Sequence, residues 1–238
     1  MMNIEQLKDS NYVPYSGKSS VAVVKSVAGN YYPGVRVENV TFPLTINAAQ
    51  NALFTCLSEK ERPKAIYVED TKANDLEFWR NEYNVWVYPH EELETGDLKE
   101  ILLDLQESEI KSTLKKLLDH AVTENSDFPV SALLKTPRGY VSGVNIECSE
   151  WSLGLCAERV AIGKALSYGI KDFESIYIHT RSGEYSSPCG ACRQVIYEHM
   201  PHNPVHLFHA DGTRSKHFSS DLLPYSFRST SLNVNARQ

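Results

Sequence analysis

Apolar and polar positions alternate in two rhythms along this chain, and the second half shows them more clearly than the first. Leu114, Leu117 and Leu118 fall on one helical face, predicting a helix over about Ser108 to Val122. Phe128–Lys135 and Tyr140–Glu147 read as strands joined by a turn at Pro137-Arg138-Gly139. From about Cys156 to Tyr168 the helical rhythm returns, with Val160, Ala161, Ala165 and Leu166 on one side and Gly169 at the stop position. Ser175–Thr180 is strand-like, Pro188 opens a helix to about His199, and Val205–His209 is a further strand ended by Asp211-Gly212. The order α-β-β-α-β-α-β predicts a mixed sheet with helices on both faces.

The first half repeats this order. Gly34–Leu57 and Gly143–Leu166 align without a gap at an offset of 109 residues, the distance from Gly34 to Gly143. Identities fall at Gly34/Gly143, Val35/Val144, Glu38/Glu147, Leu44/Leu153, Ala48/Ala157, Ala52/Ala161 and Leu57/Leu166. Strand-like runs follow each, Ala65–Val68 and Ser175–Ile178. The expectation is a duplicated α/β unit, 1–106 and 107–238, with Asp97 to Leu105 as an acidic helix before the boundary.

Composition narrows the function. The 238 residues carry a net charge of −6, with Lys and Arg scattered rather than striped. A nucleic-acid binder usually concentrates basic residues, so no nucleic-acid partner is expected. No apolar run approaches the roughly 20 residues of a membrane span, and Met1 to Ser10 lacks a signal peptide's apolar core. The expectation is a cytoplasmic protein with no membrane partner. Five cysteines, an odd number, point to metal or catalysis rather than disulfides.

Three of those cysteines carry the chemistry. Cys156-Ala157-Glu158 and Pro188-Cys189-Gly190-Ala191-Cys192 both stand at predicted helix N-termini. A catalytic zinc keeps three protein ligands and an open position, and Cys156, Cys189 and Cys192 supply three. Helix N-termini and the flanking Arg159 and Arg193 would offset part of the thiolate charge. Residues two apart do not share a helical face, so Cys156 must sit at the cap for Glu158 to reach a water on the metal. A carboxylate there is placed for general acid–base work. Alone, the Cys-x-x-Cys pair equally suits a redox pair or half of a zinc knuckle. Together with Cys-x-Glu it forms the constellation of zinc deaminases.

At this point the chain resembles the cytidine deaminases of nucleoside salvage, over about Phe128 to Phe227. The resemblance rests on Phe128-Pro129-Val130, Asn145-Ile146-Glu147, Cys156-Ala157-Glu158-Arg159, Pro188 through Gln194, and Leu222 through Phe227. It implies a three-layer α-β-α fold, one Zn²⁺ per chain, a homodimer and a small-molecule nucleoside partner. It implies that water activated by zinc attacks the cytosine ring while Glu158 moves the proton. Phe128 would lie against the base, Asn145 and Glu147 would bind the ribose, Arg159 would temper the thiolates, and Phe227 would reach a neighbouring subunit's site. Ser131, Cys148-Ser149 and Trp151 depart from the family's usual residues around the pocket. Cys148 reads as a spare thiol and Cys56 as core. The first copy places Asn47 opposite Cys156, Ala49 opposite Glu158 and Arg36 opposite Asn145, and no Cys-x-x-Cys follows Val68. That copy is expected to be catalytically dead. The rival readings are deamination of a cytosine-containing antibiotic nucleoside and a zinc-stabilised structural or regulatory protein.

Overall fold

The computed structural model describes residues 4–73, 75–94 and 96–227. The chain forms two mixed sheets around one continuous apolar core. Short helix α1 (Ile4–Lys8) precedes strands β1 (Val21–Ser26) and β2 (Tyr31–Val35), helix α2 (Ala48–Ser58), β3 (Pro63–Val68), α3 (Leu76–Tyr83) and β4 (Trp86–Pro89). Leu102–Leu103 forms β5. The second half runs α4 (Ile110–Leu117), β6 (Val130–Thr136), β7 (Gly139–Val144), α5 (Ala157–Ser167), β8 (Ser175–Thr180), α6 (Gly190–His199), β9 (Pro204–Phe208), β10 (Arg214–Phe218) and α7 (Ser219–Leu222).

Sheet order is β2-β1-β3-β4 in the first half and β10-β9-β8-β6-β7-β5 in the second. The inner run β7-β6-β8-β9 repeats β2-β1-β3-β4. In each, one parallel pair (β3 with β4, β8 with β9) joins antiparallel neighbours. Helices cover both faces of the second sheet. Ser131 Oγ donates to Leu114 O on α4 (2.8 Å), whereas the neighbouring register pair Ala132 and Gly143 faces the other way, toward α5. This is the three-layer α-β-α arrangement.

The repeated identities have a packing cause. A Cβ on Gly34 would lie 2.3 Å from both Ala48 O and Ala52 N. A Cβ on Gly143 would lie 2.3 Å from Ala157 O and 2.6 Å from Ala161 N. Glycine on the strand and alanine on the helix therefore let α2 and α5 sit directly on their sheets. The two helices also meet each other: Asn51 Nδ2 donates to Val35 O, Gly163 O and Ser167 Oγ at 2.9, 3.1 and 2.9 Å.

Two expectations change. The segment from Asp97 to Leu105 is not helical. Glu100 Oε1 accepts from the amides of Ile101 and Leu102, which turns the chain, and Leu102–Leu103 then pairs with Tyr140–Val141. The open edge of β7 offers hydrogen bonds that a short acidic helix could not match. The second sheet thus takes its edge strand from residues before 107. The helix expected over Ser108 to Val122 is regular only over Ile110–Leu117, with 3-10 turns at both ends. Among the described residues no helix is long and apolar enough to cross a membrane.

Candidate active site

Cys156 is the N-cap of α5, with φ −70° and ψ 158°, outside the helix as the Cys-x-Glu spacing requires. Cys189 is the N-cap of α6, and Cys192 lies one turn in, fully buried. The three Sγ atoms all lie within 4.8 Å of one another, and Cys156 Sγ is 3.7 Å from Cys189 Sγ. Sulfurs about 2.3 Å from one tetrahedral zinc stand about 3.8 Å apart, so the triangle fits that ion. Hydrogen bonds from Cys156 and Cys192 hold Cys189 far below the usual thiol range, and the same contacts push Cys156 and Cys192 up. Both helices direct their positive ends at this charge.

Glu158 follows in the first turn of α5 and is 2% exposed. Burial pushes its carboxyl up to about 7, and a neighbouring thiolate at Cys189 adds to the shift. Its Oε2 has no hydrogen-bond partner among the described residues. Buried carboxylate oxygens are normally satisfied, so an orphan beside three sulfurs is an atom placed for a ligand.

A cavity of about 450 Å³ opens onto this group. Cys156, Glu158 and Cys189 form its floor, and Phe128, Asn145 and Glu147 line it together with Trp151 and Tyr185. Asn145 is braced against the first strand: its Oδ1 accepts from Val130 N (2.7 Å) and its Nδ2 donates to Phe128 O (3.0 Å). Glu147 accepts from the amides of Asn125 and Ser126 (2.9 and 3.1 Å) and from the Ser126 hydroxyl. Arg159 donates from Nη2 to Leu44 O in the first half (3.0 Å). Phe227 is not among the cavity's lining residues. Half-exposed, it meets Gln194 Nε2 through its carbonyl (3.4 Å).

Sequence reasoning missed Tyr185, which stands 64% exposed with its ring edge-on to His209 (centroids 4.8 Å). An aromatic in the Ser- and Gly-containing loop just before Pro188-Cys189 was the available signal. Among the described lining residues the acidic groups are Glu147, Glu158 and the Cys156 and Cys189 thiols, and none is Lys, Arg or His.

The matching position in the first half also forms a hollow, of about 590 Å³, lined by Arg36, Asn47 and Ala49. It holds neither cysteine nor an acid at the place of Glu158.

The family model for the zinc-binding region of cytidine and deoxycytidylate deaminases matches residues 105–206. A cytidine deaminase of Sporosarcina psychrophila is 38% identical over 52% of this chain and 93% of its own length. A blasticidin-S deaminase of Bacillus cereus is 34% identical over 44% of this chain and 80% of its own. A solved cytidine deaminase of Burkholderia pseudomallei aligns at 32% identity with a TM-score of 0.49, over 52% of this chain and 100% of that one.

Proposed function

This chain belongs to the cytidine deaminase family, and we propose that it is a zinc-dependent hydrolase converting cytidine or deoxycytidine to the uracil nucleoside and ammonia, with its own residues dividing that work. The observation that carries the reading is the buried, unpartnered Glu158 Oε2 beside the three-sulfur triangle. Zinc held by Cys156, Cys189 and Cys192, one per chain, would supply an acidified water as nucleophile near neutral pH. Glu158 takes the proton of the attacking water, delivers it to ring N3 and then carries one to the leaving amine. Phe128 lies against the base. Glu147 accepts from the ribose hydroxyls, and Asn145 contributes to the same edge. Arg159 lowers the cost of the nearby negative charge, a Coulombic effect that does not require contact with sulfur. A cavity lined by the Glu147 carboxylate and, among its described residues, by no Lys, Arg or His suits a neutral nucleoside and repels a phosphate.

We also propose that 1–106 and 107–238 are copies of one ancestral unit and that the first has lost its chemistry. The chain would then pair as a homodimer, with Phe227 completing a neighbour's pocket, in cytoplasmic pyrimidine salvage. A second reading of the substrate is favoured by the similarity to a blasticidin-S deaminase together with Trp151 at the cavity wall. That substrate is a cytosine-containing antibiotic nucleoside.

One experiment separates these. Zinc-loaded protein is incubated with cytidine, deoxycytidine, the corresponding monophosphates, free cytosine and a cytosine-containing antibiotic nucleoside, and ammonia release is followed. Cytidine and deoxycytidine are expected to lead. Preference for the antibiotic moves the reading to the second substrate, and no release from any of them overturns deamination.

A further inference from the structure

In each half an exposed loop is held by the other half, and the contacts match. The loop of the second half carries Trp151, whose indole lines the cavity. Ser149 donates to Glu82 from its backbone amide (2.7 Å) and its hydroxyl (2.5 Å). Leu153 O accepts from Gln50 Nε2 (2.6 Å). In the first half, Val40 N donates to Glu198 (2.8 Å), and Leu44 O accepts from Arg159 (3.0 Å). Val40 and Ser149, Leu44 and Leu153, and Gln50 and Arg159 are each separated by the same 109 residues as the repeated motif. Glu82 and Glu198 are each the penultimate residue of their helices, α3 and α6. The contacts are therefore an exchange across an approximate two-fold relation between the halves.

The exchange matters unequally. The Thr41–Leu44 segment serves a half in which the described residues form no metal-ligating cluster, whereas the Ser149–Leu153 segment forms part of a cavity wall. That second segment has little else to hold it. Ser149, Glu150, Trp151 and Ser152 are exposed, and Trp151 is 65% exposed. Besides the contacts to Glu82 and Gln50, its hydrogen bonds are all local: Ser152 donates to the Glu150 carboxylate, Cys148 Sγ and Leu153 N donate to Glu150 O, and Gly154 N donates to Trp151 O. Segments with few buried contacts sit at the low end of local stability, so one bidentate clasp can decide where such a loop rests.

We infer that Glu82, in the half without the metal cluster, is a positioning residue for nucleoside binding. It fixes Ser149 and, through it, the indole of Trp151 against the bound nucleoside. The inference rests on the reading of the cavity as a nucleoside site. Because Trp151 lies at the wall and not at the three sulfurs, its placement affects ground state and transition state alike. Its loss raises KM and spares kcat.

The test uses the full-length, zinc-loaded protein with cytidine, comparing Glu82→Ala, Glu82→Gln, Ser149→Ala, Trp151→Ala and the Glu82→Ala/Trp151→Ala double variant. Glu82→Ala is expected to raise KM about tenfold, with kcat within about twofold of wild type, the size of one lost hydrogen bond to a charged group. Glu82→Gln should recover most of the loss, since its amide oxygen still accepts from Ser149 N. Ser149→Ala, a milder change that keeps the core intact, should shift KM in the same direction but less. The double variant should be no worse than Trp151→Ala alone, because both act through one ring. Amide exchange at 149–153 should quicken about tenfold in Glu82→Ala while α5 is unchanged. Unchanged KM in Glu82→Ala, additive losses in the double variant, or a joint fall in zinc content and kcat would overturn the inference. Failure of the site reading looks different, because the wild-type chain itself would then be inactive on cytidine.

Discussion

Asn47 and Cys156 occupy the same place in the two halves, and their backbones are nearly superimposable: φ −78°, ψ 160° for one and φ −70°, ψ 158° for the other. Asn47 Oδ1 turns inward and accepts from Gln50 N (2.7 Å), capping α2. The Cys156 side chain makes no cap bond and points its sulfur at Cys189. Two residues on, a buried Ala49 faces a buried Glu158. The half without the cluster satisfies its helix, and the half with it leaves the helix end and a carboxylate short of partners. The common fold, set by the glycine–alanine contacts of strand and helix, supports either choice. Chemistry here is added at a local cost in stability.

The largest expected effect removes the carboxylate that separates the halves. Glu158→Gln should keep one zinc per chain and lower kcat by at least about 10²–10⁴-fold, the range for a general acid–base group. Metal analysis and ammonia release on the same sample would check it. Near-normal turnover in a zinc-loaded variant would sink the proposed proton path. Ala49→Glu should add no activity, since its half lacks the sulfurs, and two tightly held zincs per chain would contradict that asymmetry.

A second contrast lies at the ends of α3 and α6, where Tyr83 and His199 follow the exchanged glutamates. Tyr83 is neutral across the ordinary pH range. His199 packs its ring on Tyr12 of the first half (4.6 Å) and near Phe173 (6.3 Å). Its Nε2 is sealed without a partner among the described residues, and burial depresses the imidazole from 6.5 to about 4. Between those values the unfolded chain binds the proton and the folded chain does not. Stability from this residue is therefore full above pH 6.5 and is lost as pH falls toward 4, by up to about 3 kcal/mol. Urea unfolding at a series of pH values should show a slope that His199→Phe flattens. An identical slope in both proteins would rule His199 out as its source.

Glu38 and Glu147 form a third pair. Each braces a serine-bearing loop, but Arg36 pairs with Glu38 (3.1 Å), whereas Asn145, in the place of Arg36, turns its amide to the strand backbone. Glu147 thus lines the cavity without a cation beside it on its own strand. Glu147→Gln should reduce kcat/KM for cytidine by roughly one to two orders of magnitude, the weight of a hydrogen bond to a charged group, and should affect free cytosine far less. Equal losses on both substrates would leave Glu147 as a loop brace alone.

Local rules made part of this legible in advance. The offset of 109 residues follows from glycines and alanines that must meet across one strand–helix contact, and the cap position of Cys156 follows from helical geometry applied to Cys-x-Glu. The rest depended on distant partners. Ile101, Leu102 and Leu103 have a helix-compatible rhythm, and only the open edge of β7 makes Leu102–Leu103 a strand. β10 was not anticipated, because Arg214–Phe218 is polar and pairs at an edge with one neighbour. Trp151 stood out as a departure from the family, but the clasp of its neighbour Ser149 by Glu82 joins residues 67 apart and leaves no local pattern.

The smallest expected effect tests the opening contrast most directly, because it asks whether the cap and the metal compete for one position. Replacing a capping Asn by Ala typically costs about 1 kcal/mol. Asn47→Ala should therefore lower stability by about that amount in urea unfolding and leave zinc content and turnover unchanged. The complementary change, Cys156→Asn, gives α5 the cap that α2 has. It should abolish zinc retention, and once wild type is stripped of metal it should be the more stable of the two by about 1 kcal/mol. Zinc binding adds stability to wild type in proportion to the logarithm of free metal, so the ranking should reverse when zinc is restored. Asn47→Cys completes the set. It loses the cap without gaining a site, because no Cys-x-x-Cys follows β3, and it should resemble Asn47→Ala. If metal-free Cys156→Asn is no more stable than metal-free wild type, the helix end at Cys156 is satisfied by some other group, and the trade between cap and metal is not the difference between the halves.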